Sequence, residues 1–125
     1  FEHPFNIPYL AAASGAVYVA RWTTLHVRRL ERSISEALTK RGFSLVEVIA
    51  PCPTSYDRWQ GRRAGLDSLR YYHQKGVIQH GANPRDVDIN TDGGEIIEGV
   101  FVNIEKPTFS DFCQEGLSRA MGNRK

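Results

Sequence analysis

A cysteine held between two prolines is the first place in this sequence where residue type and spacing could support chemistry. Cys52 stands in Pro51-Cys-Pro-Thr54, shortly after the run Ser44-Leu-Val-Glu-Val-Ile49. That run is rich in β-branched residues and reads as a buried strand. Pro51 stops its ladder, because proline has no N–H and restricts the residue before it. Cys52 is therefore expected just past the carboxyl end of a sheet strand, where open α/β sheets place ligand chemistry. A thiolate there can bind a soft metal. The ordinary alternative is a small thiol packing a loop. Arg21 ends another short apolar run, Val17 to Ala20, at the same edge of the sheet. A guanidinium there could meet an anionic group, with a surface salt bridge as the ordinary reading.

Other polar residues carry weaker signals. His73 and His80 lie seven apart with a glycine between them and form no dense ligand set. Asp86, Asp88, Asn90 and Asp92 alternate as calcium ligands do, but the glycine and terminal glutamate of a twelve-residue calcium loop are missing. Arg28, Arg29, Arg58, Arg62 and Arg63 could face nucleic acid, although no repeated aromatic platform accompanies them.

The elements that must position these residues follow from periodicity. Asn6 and Pro8 suit a helix start, and Tyr9 to Ala16 reads as a short helix of small residues packed close to a neighbour. Thr23 and Thr24 are expected to cap a helix from Leu25 to Arg41, with Val27, Leu30, Ile34, Ala37 and Leu38 on its buried face. Glu36 and Lys40 are spaced to pair on that helix, and Gly42 follows as a helix-ending residue would. Helix, turn and strand in this order predict a crossover between parallel strands. Tyr56 to Gly65 reads as a loop, and Leu66 to Lys75 as a helix ended by Gly76. Gly81 to Gly94 is rich in turn formers. Glu95 to Ile104 reads as a strand or hairpin arm. A last helix runs from about Pro107 to Met121, with Phe109, Phe112, Cys113, Leu117 and Ala120 buried. Cys113 on that face reads as a packed thiol, and Gly122 to Lys125 as a frayed tail.

At 125 residues with 41% hydrophobic content, the chain can bury one modest core. A net charge of +2, with both signs interspersed, argues against nucleic acid or an anionic membrane as partner. Two cysteines make no disulfide framework; they fit a reducing compartment, or one metal ligand plus one structural thiol, and the expected location is cytoplasmic. No apolar run approaches bilayer length, and the opening Phe-Glu-His-Pro lacks the features of a secretory signal. A chain opening on Phe1 is expected to be processed or a fragment. Two or three strands are few for a doubly wound domain, where about 5–6 are usual. The first part is therefore expected to belong to a larger sheet completed by other residues.

Three stretches resemble a known family: Ala12-Ala-Ser-Gly-Ala-Val-Tyr-Val-Ala-Arg21, the helix leading into Ser44-Leu-Val-Glu-Val-Ile49, and the turn Pro51-Cys-Pro-Thr54. Together they look like the carboxyl-terminal part of the β subunit of 2-oxoacid:ferredoxin oxidoreductases. Gly99-Val-Phe and Glu105-Lys-Pro-Thr-Phe-Ser-Asp look most like the 2-oxoglutarate members. The resemblance implies an α/β fold: residues 1–55 as the distal part of a thiamine-diphosphate-binding domain (a parallel sheet with flanking helices), and residues 56–125 as an extended carboxyl-terminal arm packing on partner subunits. It implies oxidative decarboxylation of 2-oxoglutarate, or a related 2-oxoacid, to the acyl-CoA. The cofactors would be thiamine diphosphate, Mg2+ and a [4Fe–4S] cluster that passes electrons to ferredoxin. Cys52 matches the fourth cluster cysteine. Thr54 would be a hydroxyl beside it, and Arg21 would stabilise an anionic cofactor edge. The chain lacks the family's paired cysteines and its Gly-Asp-Gly motif, so most cofactor ligands are expected outside it. The alternative implied role is a non-catalytic module that holds subunits together, with Cys52 an inert thiol.

Overall fold

The computed structural model describes residues 4–61, 65–89 and 93–122. Arg62 and Arg63, and Asn90 and Asp92 of the alternating acidic run, lie outside the described residues, as do residues 123–125 of the tail. Four strands form one sheet in the order β2-β1-β4-β3: β1 Tyr18–Thr23, β2 Ser44–Ile49, β3 Gly76–Ile78 and β4 Ile96–Asn103. Helices α1 (Ile7–Ala13) and α2 (Val27–Thr39) flank it, with α3 (Tyr56–Trp59), α4 (Gly65–Lys75) and α5 (Phe109–Gly122) following β2 and β4.

β1 is buried along all six residues and pairs with β2 in parallel, as the crossover predicts. β4 runs antiparallel to β1 and parallel to β3, so the sheet is mixed rather than parallel throughout. An apolar run shows that a strand is buried but carries no direction, so the sequence of β4 fits either. The sheet takes strands from both sides of residue 55. A bulge between Val19 and Ala20 leaves Phe101 as the extra residue on β4, since Val19 pairs with Val102 and Ala20 with Val100.

Alternate residues of β1 face two cores. Val19 packs with Ala11, Ala16, Val87 and Phe101 on the α1 side. Tyr18, Ala20 and Trp22 pack with Leu30, Ala37 and Val46 on the α2 side. Asn6 caps α1 as expected, its side chain accepting from the Tyr9 N–H at 3.0 Å. The helix ends at Ala13, earlier than the run of small residues. The Ala16 N–H reaches the Ala11 carbonyl and the Gly15 N–H the Ala12 carbonyl, both at 3.0 Å. Gly15 takes φ +88°, so a glycine-dependent turn closes the helix there.

The face of α2 also differs from the periodic reading. Leu30, Ser33 and Ala37 turn inward, while Val27, Ile34 and Leu38 are exposed. Polar anchors decide this. Trp22 donates its indole N–H to Ser33 Oγ at 2.7 Å, and the Tyr18 hydroxyl donates to Glu36 at 2.9 Å. Burial pushes the Tyr18 hydroxyl up to about 12, and the Glu36 carboxylate acts in the same direction. Thr23 and Thr24 provide no side-chain cap; they enter a 3-10 turn, Thr24–His26, and α2 starts behind it. Lys40 pairs with Glu105 instead of Glu36.

α5 corrects a larger expectation. The helix forms, but it buries no residue: Phe109, Phe112, Leu117 and Met121 are exposed, and so is Cys113. An amphipathic pattern establishes that a face needs cover, not that this chain supplies it. Its anchor is the first turn. Thr108 donates its N–H and hydroxyl to Asp111 at 2.7 and 2.8 Å, the Asp111 N–H returns to Thr108 Oγ1, and Arg41 bonds the same carboxylate at 2.6 Å.

Two predictions follow from these local geometries. Gly99 has φ +145°, and a side-chain carbon there would lie 2.9 Å from the Gln79 carbonyl oxygen. Gly99→Ala is expected to cost about 1–3 kcal/mol, read from the denaturation midpoint. The Thr108 N–H, its hydroxyl and Arg41 hold the Asp111 carboxyl down at about 2, from 3.8. The α5 cap is therefore complete above the ordinary carboxylate range and is lost as pH falls towards 2. Amide exchange in the first turn of α5 should accelerate over that window, and Thr108→Ala should show the faster exchange already at neutral pH.

Candidate functional site

The turn after β2 has the geometry that its prolines predict, with one partner that the sequence did not announce. The Cys52 N–H donates to Asp57 Oδ2 at 2.9 Å. The Cys52 carbonyl accepts from the N–H groups of Ser55 and Asp57 at 3.3 and 3.1 Å. Asp57 sits in the first turn of α3 and is buried, whereas the Cys52 thiol is exposed. The buried Asp57 carboxylate thus holds the N–H of an exposed cysteine, while the Ser55 and Asp57 amides hold its carbonyl. This is the arrangement of a cysteine presented outward, not of one filling a loop interior. Thr54 lies on the same turn and is exposed.

Arg21 departs from its expected position. It stands inside β1 rather than at its end and is wholly buried rather than at the surface. Its Nε donates to Glu47 Oε2 at 2.6 Å, its Nη1 donates to the Val87 carbonyl at 2.5 Å, and the guanidinium lies over the Phe101 ring. Nη2 has no hydrogen-bond partner among the described residues. The strand reads two residues longer than its apolar run because an ion pair across the β1–β2 register lets a charge enter the core. Arg21 and Cys52 are not brought into one contact set.

Glu98 is the residue that the periodic reading passed over. It is wholly buried in β4, and its Oε2 accepts from the Thr23 N–H at 2.6 Å. Oε1 lies 3.9 Å from His26 Nε2. Gly76 is required beside it, since a side-chain carbon there would stand 2.6 Å from Glu98 Oε1. The available signal was a lone carboxylate within Ile96-Ile97-Glu98-Gly99-Val100. Thr23 pairs with Ile49, so Glu98, His26 and the Cys52 turn occupy the same end of the sheet. His73 and His80 are exposed, and Asp86 accepts from the Asn83 side chain at 3.1 Å. Among the described residues no three His, Cys, Asp or Glu side chains converge as a metal site.

Asp57 gives a direct test of the turn. Asp57→Ala should remove the protection of the Cys52 amide against hydrogen exchange and cost about 1.5–3 kcal/mol, the range for a bond to a charged acceptor. Asp57→Asn keeps an acceptor oxygen and should recover most of the protection. Equal exchange in the two variants would remove Asp57 from its pinning role.

No family model matches the chain. The 2-oxoglutarate synthase subunit KorB of Methanocaldococcus jannaschii is 37% identical over 108 residues, covering 86% of this chain and 39% of that protein. The subunit of the same name from Methanothermobacter thermautotrophicus is 38% identical over 117 residues, 91% of this chain and 38% of that one. The 2-oxoacid:ferredoxin oxidoreductase subunit beta of a Sulfolobus species is 37% identical over 65 residues, 48% of this chain and 21% of that one. The chain spans about two fifths of the length of the 2-oxoglutarate synthase subunits it matches. Over that part it is homologous to the β subunits of 2-oxoacid:ferredoxin oxidoreductases, KorB among them.

Proposed function

We propose that the chain is the distal part of a thiamine-diphosphate-binding β subunit in a 2-oxoacid:ferredoxin oxidoreductase. Its assembled enzyme decarboxylates 2-oxoglutarate, or a related 2-oxoacid, oxidatively to the acyl-CoA, and ferredoxin receives the electrons. The similarity to 2-oxoglutarate synthase subunits over most of this chain supports that reading. The observation that carries its site is the outward Cys52 thiol on a turn pinned by Asp57.

The described residues fit one ligand of a [4Fe–4S] cluster and no more. One exposed thiol can supply one thiolate, and Cys113 lies far along the chain on α5. Such a cluster, when bound, supplies single-electron transfer. The chain's own part is to hold the Cys52 sulfur at the carboxyl end of β2 through Pro51, Pro53 and Asp57. Thr54 contributes a hydroxyl on the same turn. Arg21 is buried, and its Nη2, which has no hydrogen-bond partner among the described residues, is the atom it would turn to an anionic group. In this reading thiamine diphosphate, Mg2+ and the remaining cluster ligands belong to other residues of the complex. Within residues 56–125 the surface that packs on partner subunits is that of α5, which gives cover to its exposed apolar side chains. No helix among the described residues is long and apolar enough to cross a membrane.

The test compares Cys52→Ala with Cys113→Ala in the assembled complex, by iron content and low-temperature electron paramagnetic resonance after reduction. The Cys52 variant should lose the cluster signal and the transfer to ferredoxin. The Cys113 variant should keep both. A full cluster signal in the Cys52 variant would overturn the assignment.

A further inference from the structure

A groove of about 740 Å³ lies on the α2 side of the sheet, away from the contacts of Cys52 and Arg21. Arg28, Arg29 and Arg32 enter it from α2, Trp22 from β1, and His80 from the segment after β3. The three arginines form no ion pair among the described residues, where the ion pairs use Arg21, His26, Lys40, Arg41, Arg70 and Arg119. Arg28 and Arg29 occupy the first turn of α2, which carries no acidic residue. Cations at that end oppose the helix dipole, so the chain keeps like charges together where it gains nothing from them. Glu36 reaches the groove as well, but it accepts the Tyr18 hydroxyl and leaves the arginines in excess.

Two of these groups are already oriented. The Arg29 guanidinium lies over the Trp22 ring, 5.7 Å from its centre, which restricts a flexible side chain before any ligand arrives. His80 Nδ1 accepts from the Val100 N–H at 3.2 Å, which leaves Nε2–H as the ring's donor. Its ring meets Trp22 edge-on at 5.8 Å.

We propose that this groove binds an organic phosphate of nucleotide size. Guanidinium forks match phosphate oxygens in pairs, and three of them with an imidazole donor suit a diphosphate or a doubly phosphorylated ligand. The volume falls in the range of about 300–1,000 Å³ that small-molecule sites occupy. A single inorganic phosphate would leave most of it empty. A nucleic acid would need a basic track, whereas these arginines sit on two turns of one helix in a chain of net charge +2. The proposal stands independently of the role of Cys52.

The experiment uses the full-length subunit in its assembled complex, with ADP, coenzyme A, inorganic phosphate and polyglutamate as separate probes. Hydrogen exchange of residues 27–36 and 79–82 localises binding to this groove. ADP and coenzyme A should protect those segments, with Kd values rising as salt is added. Arg28→Gln/Arg29→Gln/Arg32→Gln should weaken that protection at least tenfold. Arg29→Lys/Arg32→Lys, which keeps the charge and fold but loses the forks, should fall between. Arg119→Gln, a charge change on α5, should leave it unchanged. Protection by polyglutamate alone, by inorganic phosphate as tightly as by ADP, or by no probe would overturn the proposal.

Discussion

A guanidinium that has lost all contact with water cannot shed its proton, so its counter-charge and acceptors must be built around it. Arg21 imposes that constraint at the centre of this sheet. Glu47 comes from β2, the Val87 carbonyl from the turn after Pro84–Asp86, and the Phe101 ring from the β4 bulge. One side chain therefore ties three separate stretches to β1. It also fixes register. Arg21 and Glu47 are direct partners across the parallel pair, and a slip of one residue would turn Glu47 to the opposite face and leave the charge unmatched.

The other side of β1 is held by neutral and charged hydrogen bonds of the same kind. Ser33 and Glu36 dock α2 through the polar tips of Trp22 and Tyr18. Glu98 holds the last amide of β1 from β4. These bonds choose among packings that hydrophobicity alone leaves open. α2 has two apolar stripes, and the one bearing Ser33 goes inside because only it can satisfy a buried indole. The stripe of Val27, Ile34 and Leu38 stays outside. The same logic places the Cys52 turn, whose backbone is fixed by the carboxylate of Asp57 and whose side chain is left unburied.

Periodicity and punctuation made much of this legible. Ser44 to Ile49 is a strand with the bounds read from its β-branched run, Pro51 ends it, and Asn6 caps α1. The extents of α4 and α5 were close to those read from the sequence. What escaped were long-range pairings of polar residues. Arg21 looked like a strand end because its partner Glu47 lies on another strand. Glu98 looked incidental because the Thr23 amide that requires it is remote in sequence. β3 is only three residues long and begins on the glycine read as a helix stop, so no local pattern marks it. Asp57 falls in a stretch that reads as a loop, since nothing nearby signals that its carboxylate folds back onto Cys52. Arg28 and Arg29 carry only a weak nucleic-acid signal in the sequence, because nothing local shows that the sheet brings Trp22 and His80 into one groove with them and Arg32.

The exposed apolar groups share a physical logic with the candidate site. β2 is an edge strand, although its sequence is the near-continuous apolar run of a strand buried on both faces. An uncovered parallel edge presents unpaired backbone groups and apolar side chains together, an arrangement that isolated folds avoid. Val48 on that strand, the outer stripe of α2 and nearly all of α5 are left in the same condition. Proline and cysteine at the end of β2 therefore lie where further protein would have to approach to cover the edge. A thiol in such a position meets incoming residues first.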